Sequence, residues 1–185
     1  MGSRAPNILV GIGNLLRRDD GVGVIVAQQM SRLDLPDDVE VIDAGTAGTE
    51  LAGLIERRRL VVVVDAIDAG EPPGSIFRLD PESVQPASRA GLSVHDLHFL
   101  HALDETRLLG SSPERVVIFA VQVADKSTGI GLSEPVGRAA KRVMALAAEQ
   151  LGLSIEHMQY TPGSDADEPS PARPAAASRE VMPWH

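Results

Sequence analysis

The stretch "GIGNLLRRDDGVGV", residues 11 to 24, decides how the chain folds and raises the question of what it binds. Before it runs "NILV", a short apolar segment ending at glycine, and after it "IVAQQMSRL" continues a helical stripe through Val22, Val26 and Met30. Residues 7 to 33 therefore read strand, loop, helix. The loop has the glycines of a nucleotide-binding turn, but Leu16 stands where the third glycine of a G-x-G-x-x-G fingerprint belongs. Asp19 and Asp20 would also repel a pyrophosphate at the start of the helix. Two carboxylates in such a loop suit a cation better than a phosphate.

The same unit recurs along the chain. "VEVIDAGTAG" predicts a second strand over Val39 to Asp43 and a small-residue loop, followed by a helix through "TELAGLIERR". "LVVVVDAIDAG" is a β-branched run ending at Asp65, as expected of a central strand buried on both faces. "GSIFRL" predicts an edge strand, and Glu82 to Leu92 an irregular loop. Ser93 and Asp96 have capping-box spacing, so a helix is expected from Ser93 to about Leu109, stopped by Gly110. "RVVIFAVQ" is a further strand, and Ser133 with Pro135 opens a last helix whose stripe runs through Val136, Ala140, Val143, Ala147 and Leu151. The order β-α-β-α-β-β-α-β-α predicts an α/β domain over residues 7–152 with right-handed crossovers.

Composition agrees with one such domain. The chain has 185 residues, and with aromatics at only 3% its core must be aliphatic. A net charge of −9 argues against a nucleic-acid partner, and no stretch nears the roughly 20 apolar residues of a membrane span. The start lacks a signal-peptide pattern, so a cytoplasmic protein is expected. With no cysteine, any metal site must use His, Asp or Glu. Residues 1–6 are expected to be flexible. The segment 153–185 holds five of the thirteen prolines among Ala, Ser, Asp and Glu, and is expected to be a disordered tail.

Loops at the carboxyl ends of parallel strands converge on one crevice. Asp20 follows the first strand, Asp43 closes the second and Asp65 the third. His95, in the first turn of the helix after Ser93, reaches the same crevice if the architecture is as predicted. A helix N-terminus favours neutral imidazole, the metal-binding form. Asp20, Asp65 and His95 then make a two-carboxylate, one-imidazole cluster suited to a divalent transition metal with open positions. Blander roles compete: acids at strand ends commonly bind backbone N–H groups or sugar hydroxyls, and Asp43 and Asp68 are expected to order their own loops. Arg17 and Arg18 are expected either to form a solvated loop tip or to pair locally with Asp19 and Asp20, and His98 and His101 to line a solvated or partly buried helix face. No Walker lysine motif and no G-x-S-x-G elbow occurs.

In this order, "ILVGIGNLLRRDDGVGVIVAQQM", "VIDAGTAGTELAGLI", "VVVVDAIDAGEPPGSIFRL", "SVHDLHFLHAL" and "VIFAVQ" resemble the maturation endopeptidases of NiFe hydrogenases, over about residues 7 to 151. The resemblance implies a twisted, mostly parallel sheet of about five strands sandwiched between helices. It also implies a nickel-dependent endopeptidase that removes the C-terminal extension of the hydrogenase large-subunit precursor after metal insertion. Matched motif by motif, it puts the metal and catalytic residues on Asp20, Asp65 and His95, with the nickel supplied by the substrate's own centre. Asp19 is the nearest carboxylate to serve as a base. Asp43, Gly45, Thr46 and Gly48 of "DAGTAG" are expected to bind the substrate peptide, and the protein to act as a monomer. Two features depart from relatives: the first acid is often Glu where this chain has Asp20, and a second glycine often stands where it has Ala44. Two rivals remain open, a nickel-sensing docking or chaperone factor that cuts nothing, and a nucleotide- or sugar-phosphate-binding enzyme.

Overall fold

The computed structural model describes residues 4–46, 50–79, 81 and 94–153, the side chains of 94–98 excepted. Five strands form one sheet: β1 (Asn7–Ile12), β2 (Val39–Gly45), β3 (Leu60–Ile67), β4 (Ile76–Leu79) and β5 (Arg115–Gln122). The order across the sheet is β2-β1-β3-β5-β4, parallel throughout except for β4, which runs antiparallel along the edge of β5. The β-branched run is β3, buried along its whole length at the centre of the sheet, as its composition predicts.

Among the described residues four helices cover the sheet: α1 (Val22–Met30), α2 (Leu51–Ile55), α3 (Val94–Leu108) and α4 (Glu134–Leu151). Strand alternation divides the core in two. Leu9, Val62, Val64, Phe119 and Val121 face α1 and α4, where Val22, Val26, Val136 and Val143 meet them. Ile8, Val10, Val61, Val63 and Ile118 face α2 and α3, where Leu51, Ile55, Phe99 and Leu103 close the other side. The sheet is thus sandwiched between helices, and the chain is a single α/β unit over the described residues.

Helix ends follow the local chemistry. Gly110, at φ +64°, ends α3 in a Schellman arrangement, with Gly110 N–H donating to Arg107 O and Ser111 N–H to Thr106 O. Gly152 ends α4 in the same way. The second helix is shorter than its pattern suggests, and the Ser93 cap, the 82–92 loop and the tail beyond Leu153 lie outside the described residues. Residues 4–6 make hydrogen bonds to the domain. The buried Arg58 donates to Ala5 O, Arg59 N–H donates to Pro6 O, and Arg4 reaches Gly53 O. Ala5 O joins Leu54 O and the Glu40 carboxylate as the acceptors that the buried Arg58 guanidinium needs.

The glycines of the opening stretch serve packing. A Cβ on Gly23 would lie 2.1 Å from Val64 O and 2.3 Å from Ile12 O, and one on Gly11 2.1 Å from Gly23 O. These positions let α1 lie directly against β1 and β3. Gly13, at φ +143°, does the same for the loop, because a Cβ there would lie 2.0 Å from Asp20 O. The spacing that looks like a phosphate cradle is filled by the protein's own backbone.

Candidate active site

Asp20 lies in a 3-10 turn, Arg18–Gly21, between β1 and α1, and this turn packs against β3. Its backbone is pinned, with Asp20 N–H donating to Arg17 O and Asp20 O accepting from Asn14 N–H. Asp65 is the sixth residue of β3, two before the carboxyl end, and its Oδ1 accepts from Ala66 N–H at 2.7 Å. Both carboxylates are nearly removed from solvent, at 5% and 2% exposure. By alternation Asp65 continues the row of Val61 and Val63 toward the α2 and α3 side.

The third expected member, His95, is the second residue of α3. That helix ends near the start of β5, so its first turn lies toward the carboxyl ends of the parallel strands, about 20 Å away along the helix axis. The His95 side chain lies outside the described residues. Among the described residues no three His, Asp or Glu side chains come together in a metal-holding group. Carboxylate oxygens from Asp20 and Asp65, with an imidazole at the start of α3, have the donor chemistry that a divalent transition metal takes from a cysteine-free protein.

Asp43 is placed differently. It is exposed and on the α1 side of the sheet, opposite to Asp65, and Gln28 of α1 donates to its Oδ2 at 2.8 Å. Its Oδ1 accepts from Gly45 N–H at 2.9 Å, so Asp43 orders the loop, the blander of its two expected roles. Gly45, at φ +53°, passes the chain on through an exposed Thr46, and its carbonyl accepts from Gly13 N–H. Gly48 lies outside the described residues. Ala44, by contrast, packs toward the α2 and α3 side that Asp65 faces.

A family model described as hydrogenase maturation protease matches residues 24–150. The chain belongs to the hydrogenase maturation protease family. It is 32% identical over 186 residues to the hydrogenase expression/formation protein HupM of Azotobacter chroococcum, covering 98% of this chain and 88% of that one. It is 32% identical over 131 residues to the hydrogenase 2 maturation protease of Escherichia coli, covering 70% of this chain and 80% of the relative. Among solved structures, the maturating endopeptidase HybD of E. coli superposes with a TM-score of 0.73 at 30% identity, covering 79% of this chain and 91% of that one.

The protease is therefore an endopeptidase of a metal-dependent family, and its family implies the hydrogenase large-subunit precursor as substrate. That membership sets aside the docking factor that cuts nothing, and the glycine packing removes the basis for a nucleotide site. Among the described residues no helix is long and apolar enough to cross a membrane.

Several polar groups around the crevice are organised in ways that spacing alone does not show. Asp19 is wholly buried. The adjacent arginines do not pair with it or with Asp20: Arg18 reaches Asp125 of the β5–α4 loop at 3.3 Å, and Arg17 is exposed. The partner at Asp125 is brought up by the fold, over a distance in sequence that local charge pairing cannot anticipate. His101 is exposed, as a solvated helix face requires.

Asp68 orders its loop with help from β5. Gln122 Oε1 accepts from the N–H of Ala69 at 2.8 Å, while Gln122 Nε2 and Lys126 Nζ both donate to Asp68. Lys126 above all, with Gln122, holds the Asp68 carboxyl below its ordinary range. A carboxyl lowered on folding stabilises the fold above its ordinary pKa and loses that contribution as pH falls through the lowered value. Lys126→Ala should therefore move the Asp68 titration upward in an NMR pH series, with little effect on melting because the pair is about half exposed.

A cavity of about 560 Å³ lies at the opposite end of the sheet, among Leu79, Leu103, Arg107, Arg115 and Val117. It is remote from Asp65 and belongs to the amino ends of the strands, away from the crevice that parallel α/β sheets use.

Proposed function

We propose that this protease cuts the C-terminal extension from a NiFe hydrogenase large-subunit precursor only after nickel has been inserted, and that Asp20, Asp65 and His95 engage that nickel. The observation that carries this reading is the pair of carboxylates nearly buried at the carboxyl ends of β1 and β3. Nickel here is part of the substrate. The family's metal dependence then becomes a checkpoint, since a precursor without its metal presents nothing for the three side chains to hold.

Hydrolysis adds water to the scissile carbonyl carbon, breaks the C–N bond and leaves the new amine with a proton. A divalent cation next to that carbonyl lowers the barrier by withdrawing charge from its oxygen. The protein's own contribution is to orient the precursor's metal centre and to exclude bulk water from two buried carboxylates. Asp19, although it is the nearest carboxylate, is not assigned the base, because it is wholly buried and already accepts four hydrogen bonds from the β5–α4 loop.

Loss of the metal tests this reading directly. Purified protease mixed with nickel-loaded precursor should release a C-terminal peptide visible by intact mass, and the nickel-free precursor should stay whole. Equal cutting of both forms would refute the checkpoint.

The precursor's extended C-terminal segment would pass along the loop after β2. Small side chains there allow close approach of two backbones. Ala44→Leu should reduce processing roughly tenfold or more, about 1.4 kcal/mol in the barrier, while the melting temperature stays within a few degrees. Normal processing by a stably folded Ala44→Leu variant would place the substrate elsewhere.

A further inference from the structure

Asp19 is the most deeply buried carboxylate near the crevice, at 0% exposure, and a buried carboxylate is costly unless its lone pairs are filled. They are filled four times. Oδ2 accepts from the N–H of Ala124, the N–H of Asp125 and the hydroxyl of Ser133, each at 2.9 Å, and Oδ1 accepts from Ser133 N–H at 2.6 Å. Every donor belongs to the connection between β5 and α4, 105 to 114 positions further along the chain.

The rest of the two loops is joined around this point. Asp19 N–H donates to Asp125 O, Arg18 N–H to Gly129 O and Gly129 N–H to Leu16 O. Ser133 carries a second sign of the same preference. A serine at a helix N-cap normally turns its hydroxyl to the N–H groups of its own first turn. Ser133 makes no such side-chain bond to α4, and its hydroxyl goes to Asp19 instead.

We infer that Asp19 is a positioning residue: its buried carboxylate clasps the β5–α4 loop and thereby fixes where the next residue, Asp20, presents its oxygens. With three donors on Oδ2, one on Oδ1 and no exposure to solvent, the carboxylate is committed to holding the loop. Catalytic groups work only when held to within about 0.5 Å, which a glycine-flanked loop cannot achieve by itself. This inference rests on the proposed engagement of the precursor's nickel by Asp20.

The test compares Asp19→Asn, Ser133→Ala and the double variant with Asp20→Asn, using nickel-loaded precursor. Asn turns one acceptor into an NH2 group that faces N–H donors, so the two loops should part. Hydrogen exchange should accelerate at residues 13–20 and 123–133 together, and single-turnover cleavage should slow roughly 10- to 100-fold, as for other residues that orient metal-engaging groups. Ser133→Ala, which loses one donor of the four, should give a smaller effect of the same kind. The double variant should be no worse than Asp19→Asn, since both act through one clasp.

Wild-type cleavage by Asp19→Asn with loosened loops would overturn the inference. So would abolished cleavage with unchanged exchange and a silent Ser133→Ala, which is the signature of a base. Should Asp19→Asn fail to fold, Ser133→Ala decides alone, and wild-type exchange and cleavage in it would overturn the clasp. Normal cleavage by Asp20→Asn refutes the crevice reading and this inference with it, whereas an inactive Asp20→Asn beside a normal Asp19→Asn refutes only the clasp.

Discussion

Asp65→Asn is expected to leave the hydrogenase large subunit at its precursor mass in cells that carry only the variant protease. Asparagine has the shape of aspartate, and its amide oxygen can still accept from Ala66 N–H, the 2.7 Å bond that orients the native side chain. What it lacks is the negative charge. At 2% exposure little water screens that charge, so its interaction with a cation is strong and its loss is costly. Processing should fall at least about 100-fold, roughly 2.7 kcal/mol in the barrier. The variant itself should remain folded, because asparagine keeps the shape of the side chain and the bond from Ala66 N–H. Intact mass of the large subunit, with a thermal melt of the protease, checks both halves. Equal trimming by wild type and a folded Asp65→Asn would make Asp65 a structural residue and remove the main support for the crevice.

Gly23→Ala should be the most damaging change to stability. Its Cβ would sit 2.1 Å from Val64 O and 2.3 Å from Ile12 O, and both obstacles are backbone atoms of neighbouring strands. Neither strand can yield without disturbing the sheet ladder on which the core is built. Overpacking of this kind typically costs 1–3 kcal/mol when side chains can adjust, and here only backbone can, so about 3 kcal/mol or more is expected. A fall of that size consumes a large part of the roughly 5–15 kcal/mol that holds a domain together. Gly137→Ala is the control: it lies in α4 with nothing within 4 Å of its Cβ, and the better helix propensity of alanine should raise stability by about 0.5–1 kcal/mol. Urea denaturation of the two variants separates the cases. A Gly23→Ala protein as stable as wild type would mean that α1 can stand off from β1 and β3.

The two variants address different levels of the same crevice. Asp65→Asn asks what the crevice holds, and Gly23→Ala asks how the chain is able to form it. Their outcomes are independent, since the first is expected to spare the fold and the second to break it before any chemistry can be measured.

Local signals were sufficient for the fold class. The aliphatic run at residues 60–67, the helical stripe from Val136 to Leu151 and the glycine at 110 each act through near neighbours, so strands, helices and a helix end could be placed from spacing. Asp20 and Asp65 could be grouped because parallel strands bring their carboxyl ends together whatever else the chain does. What spacing does not show has one cause. Arg18 pairing with Asp125, Asp43 on the far side of the sheet from Asp65, and the contacts of residues 4–6 with Arg58 and Arg59 all depend on partners supplied by distant segments. Asp19 shows the limit most clearly. In sequence it is one of two adjacent acids, equal in every local respect to Asp20. Its four donors lie more than a hundred residues away, on a loop that reaches it only because β5 sits beside β3, which separates it from β1. Residue type and spacing determined that carboxylates gather at this end of the sheet, and only the packing of the strands decided which one turns inward to hold the loops together.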